Sequence, residues 1–459
     1  MERDWKEEPL PLVTQNDKDQ LLPVQNSRTC NRWLSLLGGG FAHALLGTNF
    51  IFYTYINDIK TKFNYNQKEV EILAAMLNTG IGLGFLPNLL GKQMKSRWIL
   101  VIGMVLSVAG SLLLWSSTRM VSFYTKHSWL MALYYLIMGL GGSVAYIMSL
   151  RYNATHFDKS KRGFVIAAMF VFIDLGMLAF TLIFYEAFSF KTRFENIMLV
   201  SASYGVFVYI YCMVFLKSSF SVEQEVTSPK HNFTEQYEPI DEQNNLNQIP
   251  LAKLLCTVDY HLLAWLCSSL FSVSMMLSNN MTVLTKVLGK SSYNLTISVL
   301  YPIVVIIGAL TFSMISDRAK RLLSRVSFLI IGGVCMAIGS LLNAFSGETD
   351  TVFIAVVLGA FGTGIVYTVG PAAMSELFHI EDLMRNWGLV MLLRAALVIA
   401  GHLLFGALYD IESGTDMMSC KGIHCTRYGY VLNLAVAVIA IGIALVLNIR
   451  RNNGICKRE

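Results

Sequence analysis

The sequence predicts an all-α membrane protein of twelve transmembrane helices in two six-helix pseudo-repeats. Three observations carry that prediction. Of the 459 residues, 54% are hydrophobic and only 14% are charged, against about 25% charged in soluble chains. The apolar residues come in blocks of about 20 divided by short polar breaks, the length at which a helix crosses a hydrocarbon core. The first six blocks and the last six carry matching landmarks. Strict two-residue alternation is absent, so helices rather than barrel strands must satisfy the backbone in lipid.

Residues 1–32 are polar, with charges of both signs, and read as a cytosolic tail rather than a signal peptide. Spans are expected at 33–56, 70–90, 99–117, 129–149, 164–188 and 197–216, which make an N-terminal bundle over 33–216. Residues 217–258, "SVEQEVTSPKHNFTEQYEPIDEQNNLNQIP" and its flanks, are too polar to bury a core and read as a disordered cytosolic linker. The second bundle, 259–448, holds spans at 260–284, 295–313, 326–345, 352–374, 389–408 and 430–448, and 449–459 is a cytosolic C-terminal tail. Clusters such as Lys92, Lys95 and Arg97, and Arg318, Lys320, Arg321 and Arg325, bias positive charge to the side of the termini and place that side in the cytosol.

The formal net charge of +6 follows from these flanking cations and calls for no nucleic-acid partner. No zinc-type Cys/His spacing, phosphate-binding loop or nucleophile elbow is present, so no metal, cofactor or enzymatic chemistry is expected. Cys420 and Cys425 share one loop on the expected outer side, "SCKGIHC"; they either close a small disulfide or remain a free pair.

The halves echo each other. "MGLGGSVAYIMS" in span four aligns Gly139, Gly142 and Tyr146 with Gly359, Gly362 and Tyr367 of "LGAFGTGIVYTVG" in span ten. After span two, "GFLPNLLGKQMKSR" matches "SMISDRAKRLLSR" after span eight. These turns resemble the signature loop of the major facilitator superfamily, Gly-x-x-x-Asp-Arg-x-Gly-Arg/Lys. Gly84, Gly91 and Lys92 fit the first copy, with Asn88 where Asp is usual; Asp317 and Arg318 fit the second, with Ser313 in place of Gly. Further along, "MSELFHIEDLMRNWGLVMLLRAALVIAGHLLFGALYD" followed by "CKGIHC", together with "NYNQKEVEIL", resembles the nodulin-like branch and the fungal monocarboxylate-transporter homologues. The resemblance implies a twelve-helix transporter, a small-molecule solute and gating loops at the two basic turns. It names no solute.

Ionisable residues inside spans are the candidate site. Asp174 interrupts "MFVFIDLGMLAF" about 16 Å into its helix, at about 1.5 Å per residue. An acid there costs roughly 2.5–3.5 kcal/mol to insert, so it must face a cavity or a partner. It is either a proton carrier for coupled transport or a packing group bonded to a neighbouring helix. Arg394 lies about 9 Å from the inner end of span eleven. It either snorkels or clamps an anionic substrate, since its fork of donors suits a carboxylate. His402 is a second candidate proton group or a packing histidine. By analogy with the superfamily, spans one, four, seven and ten line the path, which adds His43, Asn49, Tyr146, Asn279 and Tyr367 as substrate-binding candidates.

Two tail motifs bear on location. "DKDQLL", with Asp17, Leu21 and Leu22, fits an acidic dileucine signal, and "YEPI", with Tyr237 and Ile240, fits a tyrosine signal. Read as extended peptides by clathrin adaptors, they point to an endosomal, lysosomal or vacuolar membrane, with the plasma membrane as the alternative. The function expected is proton-coupled secondary transport of a small organic solute, a carboxylate, by alternating access. The competing expectation is a transporter-shaped sensor or scaffold, suggested by Asn88.

Overall fold

The structure is a computed structural model describing residues 15–84, 86, 96–157, 162–216, 250–319, 323–378, 383–414 and 420–452. Its long helices are α1 (Gln15–Phe50), α2 (Phe52–Phe63), α3 (Gln67–Leu83), α4 (Ser96–Ser117), α5 (Ser128–His156), α6 (Arg162–Leu182) and α7 (Arg193–Phe215) in the first half. The second half has α8 (Val258–Val287), α9 (Asn294–Ala319), α10 (Arg325–Phe345), α11 (Thr349–Leu377), α12 (Leu383–Ser413) and α13 (His424–Asn452). Among the described residues, 11 helices are long and apolar enough to cross a membrane. The remaining position of the expected twelve is filled by α3, which is described over 17 residues and packs along α5 and α12.

Several boundaries differ from the sequence expectation. The first span runs over Trp33–Phe63, past position 56, with a break at Ile51 between α1 and α2. The extension contains Lys60, which is buried against partners from the other bundle and so need not mark the membrane surface. Helix α1 begins at Gln15, inside the segment read as a tail, so Asp17, Leu21 and Leu22 lie on a helix and not on an extended peptide. Tyr237, Ile240 and Asn88 lie outside the described residues.

The two bundles meet through pairs that the repeat exchanges: α3 packs on α12, and α6 packs on α9. If span two corresponds to span eight and span five to span eleven, each pair is the image of the other. Without a hydrophobic drive between helices in lipid, close approach depends on small residues. Gly139 shows why: a Cβ there would stand 2.3 Å from the Leu77 carbonyl oxygen of α3. Gly139→Val is expected to lower the thermal unfolding temperature in detergent, with an overpacking cost of about 1–3 kcal/mol. Gly205→Ala, where the nearest atom would be 3.4 Å away, should leave the temperature nearly unchanged. Equal effects would refute the close-packing account.

At the end bearing the termini, Arg325 at the start of α10 holds Asp317 at 2.8 Å and Glu376 at 2.9 Å, and Arg451 also binds Glu376. The expected second gating turn therefore uses Arg325 as the partner of Asp317, while Arg318 is exposed. Gly84 ends α3 where a Cβ would meet the Ser143 hydroxyl at 2.1 Å.

Candidate functional site

A cavity lies between the bundles, in the half nearer the termini. Residues 387–394 near the start of α12 and 146–150 near the end of α5 set its depth. Its walls are mostly aliphatic and aromatic, including Leu46, Ile173 and Met391. Among the lining side chains only Tyr146, Tyr367, Trp387 and Arg394 carry polar atoms.

Arg394 is buried, so it does not snorkel. Its Nη2 donates to Asn78 Oδ1 at 2.8 Å, and the guanidinium carbon lies 5.8 Å from the Phe50 ring centre and 5.7 Å from that of Phe271. Tyr367 stacks on the same Phe271 ring, with centres 4.8 Å apart. Two aromatic faces stabilise the cation without neutralising it. Nε has no hydrogen-bond partner, and no carboxylate among the described residues pairs with Arg394. A permanent charge with an unpaired donor, beside a cavity of this composition, can take one anionic group on a largely apolar solute.

A second, much smaller space adjoins the first and contains Asp174, with Met177, Ser278, Tyr301 and Thr363. Phe50 and Tyr367 line both chambers and form the partition. Asp174 is buried and faces this inter-bundle space, as its cost in lipid demands. No donor or cation among the described residues bonds to its carboxyl. Thr181, about two turns further along its helix, is engaged instead by the Tyr53 hydroxyl at 3.2 Å. Across the chamber, Thr363 bonds Ser274 at 2.9 Å and Tyr301 at 3.2 Å.

The opposite half of the interface is sealed by polar contacts between the bundles. Asp410 of α12 accepts from the first amides of α3, Gln67 N at 3.1 Å and Lys68 N at 3.0 Å, supplying partners and negative charge to that helix start. Asn57 donates to the Thr282 carbonyl at 3.1 Å, and the Thr282 hydroxyl donates to the Tyr53 carbonyl at 2.6 Å. Beneath them, His402 pairs with Glu71, both fully buried. Beyond the cavity, the Cys420–Cys425 disulfide closes its loop, and Gly422 N donates to the Val287 carbonyl at 2.7 Å.

The sequence candidates therefore separate. Arg394, Tyr146, Tyr367 and Asp174 meet at the two chambers. His43 sits behind the cavity wall: Nδ1 donates to the Gly39 carbonyl at 2.7 Å, and the ring packs edge-on to Tyr146 and Phe170. Asn49 is packed against Gly142 inside the first bundle. Asn279 bonds His402 at 3.3 Å in the seal and is not among the cavity's lining residues. Glu71 was not among the candidates. A detectable signal was present: Glu69, two residues earlier, forms the capping box with Asn66, so Glu71 points to a different face.

Two repeated bundles, an inter-bundle cavity toward one face and a polar seal toward the other make the architecture of a membrane transporter. The chain belongs to the Major Facilitator Superfamily, whose profile matches residues 36–343. This is a family of transporters and not of enzymes. The chain is 22% identical over 385 residues to the "Uncharacterized MFS-type transporter YhjX" of Escherichia coli (strain K12), covering 81% of this chain and 86% of that protein. A stretch of 149 residues is 26% identical to the "Probable transporter mch1" of Neurospora crassa, covering 30% of this chain and 25% of the relative. The fold superposes on a D-xylose-proton symporter with a TM-score of 0.65 at 15% identity, covering 90% of this chain and 97% of the symporter.

Proposed function

We propose that this protein is a proton-coupled secondary transporter that moves a small organic carboxylate by alternating access. The observation that carries the reading is Arg394, a buried guanidinium with an unpaired donor and no carboxylate partner among the described residues, lining the inter-bundle cavity. Keeping such a charge buried without a carboxylate partner is costly, and an anionic solute would supply the partner. Asp174, lone and buried behind the Phe50–Tyr367 partition, is the proton group in this reading. The polar seal across one half, with the cavity in the other, fits the state open toward the side of the termini.

The partial match to mch1 supports placement near the nodulin-like and fungal homologues. Residence in an endosomal, lysosomal or vacuolar membrane belongs to the same reading and rests on the tyrosine motif at 237–240, since the dileucine motif at 17–22 lies on α1. The test is a screen of labelled carboxylates in vesicles holding the purified protein, with and without a pH gradient. Uptake that rises with the gradient is expected. Saturable binding with no flux would instead identify a sensor.

A further inference from the structure

Helices α3 and α12 pack antiparallel along one seam, and α3 turns Glu71, Asn78 and Gly82 toward it from a single helix face. Toward the sealed end Glu71 meets His402, so an acid faces a base. At the cavity wall Asn78 meets Arg394, so a neutral amide faces a permanent cation. One turn beyond, the helices touch at Gly82, where a Cβ would stand 2.7 Å from the Ala395 Cβ and 3.0 Å from the Met391 carbonyl oxygen.

The amide of Asn78 is buried and fixed at both ends. Its Nδ2 donates to the Ala74 carbonyl one turn back on α3, at 2.9 Å. Its Oδ1 accepts from Arg394 Nη2 at 2.8 Å. Only one orientation of the amide satisfies both contacts, because the nitrogen cannot accept and the oxygen cannot donate. No other hydrogen-bond acceptor among the described residues reaches the guanidinium. Aspartate would fit the same volume and pair with the cation. The seam shows that α3 can present an acid to α12, since it does so at Glu71. With asparagine at 78, Arg394 gains a hydrogen bond and keeps its whole charge.

We propose that Asn78 is a specificity-determining residue: a neutral acceptor that holds Arg394 at the cavity wall and, by carrying no charge, leaves the cation unspent for an anionic solute. The bond spans the bundles, from α3 of the first to α12 of the second. The two rings against the guanidinium are likewise one from each, Phe50 of α1 and Phe271 of α8. A carboxylate at 78 would close an internal ion pair in the place where a solute's carboxylate should sit, and two anions cannot share one guanidinium there without repulsion. This inference rests on the anionic-solute part of the proposed function, and on neither the proton nor Asp174.

The test is a binding titration on the purified full chain in nanodiscs. Benzoate, phenylacetate and hexanoate are each compared with their own uncharged amide, and the readout is the rise in thermal unfolding temperature that each produces. The parent chain is expected to bind at least one acid at least about tenfold more tightly than its amide, the gain from one charge-assisted contact. Asn78→Asp should weaken that acid at least about a hundredfold and leave the amide within about threefold. Asn78→Leu removes the acceptor but adds no charge; it should weaken the acid only about threefold and keep its advantage over the amide. A packing role would make the two variants alike, so equal losses overturn the inference, as does an Asn78→Asp protein that still prefers the acid. Should Asn78→Asp not fold, Asn78→Leu decides: a loss as complete as that of Arg394→Ala overturns the inference. A parent chain that prefers none of the acids refutes the carboxylate reading, and the role of Asn78 falls with it.

Discussion

Arg394→Ala is expected to abolish carboxylate uptake in vesicles while leaving the protein at least as stable as before. The two halves of that result must be read together. The guanidinium gives up water for one hydrogen bond to Asn78 and two aromatic faces, so in the empty protein it is a poorly compensated buried charge. Removing such a charge outright, rather than removing its partner, is often neutral or stabilising. Charge-assisted hydrogen bonds contribute about 1.5–3 kcal/mol each. Loss of a two-pronged contact should therefore lower uptake efficiency by roughly a hundredfold or more. Arg394→Lys should recover little, since an ammonium is a point charge without the planar fork. Initial uptake rates and thermal unfolding of the same preparations check both halves. Uptake within about threefold of the parent, a change below 1 kcal/mol, would remove Arg394 from the site. A large loss of stability with Ala would make it a packing residue.

Asp174→Asn is expected to separate movement of the solute from movement of the proton. Exchange of labelled for unlabelled solute across the membrane should persist, because the neutral amide stands in for the protonated acid at nearly the same size. Accumulation driven by a pH gradient should disappear. No cation among the described residues pairs with the carboxyl, so the amide breaks no ion pair. If the variant still concentrates solute in response to the gradient, the proton is carried elsewhere.

Much of this was legible in the sequence, for reasons that also explain what was not. Span positions follow from hydropathy because lipid imposes one length and one backbone solution on every crossing. Asp174 and Arg394 stood out because a charge amid apolar residues has no inexpensive explanation. Tyr146 and Tyr367, matched across the repeat, do share a cavity. Glu71 and Lys60 did not stand out because each lies near the end of a span, where a charge ordinarily meets water. Only the packing of α3 on α12, and the fold of α2 over α8, turns those positions inward. Asn49 and Asn279 sat on the expected path-lining spans, but a span shows only one stripe to the path. The stripe is set by rotation about the helix axis, which hydropathy leaves open for a helix buried on most sides.

The partition made by Phe50 and Tyr367 has a bearing on what fixes the ratio of ions to cargo. In the proposed reading, cargo beside the arginine and a hydrogen ion on the aspartate would occupy separate rooms with a common wall, so mechanical contact between them would pass through those two rings. A molecule bulky enough to push a ring aside alters the second room and becomes tied to ion traffic; one too slight to do so should slip across untied. Size, more than charge, would then decide whether a given compound is pumped or merely leaks.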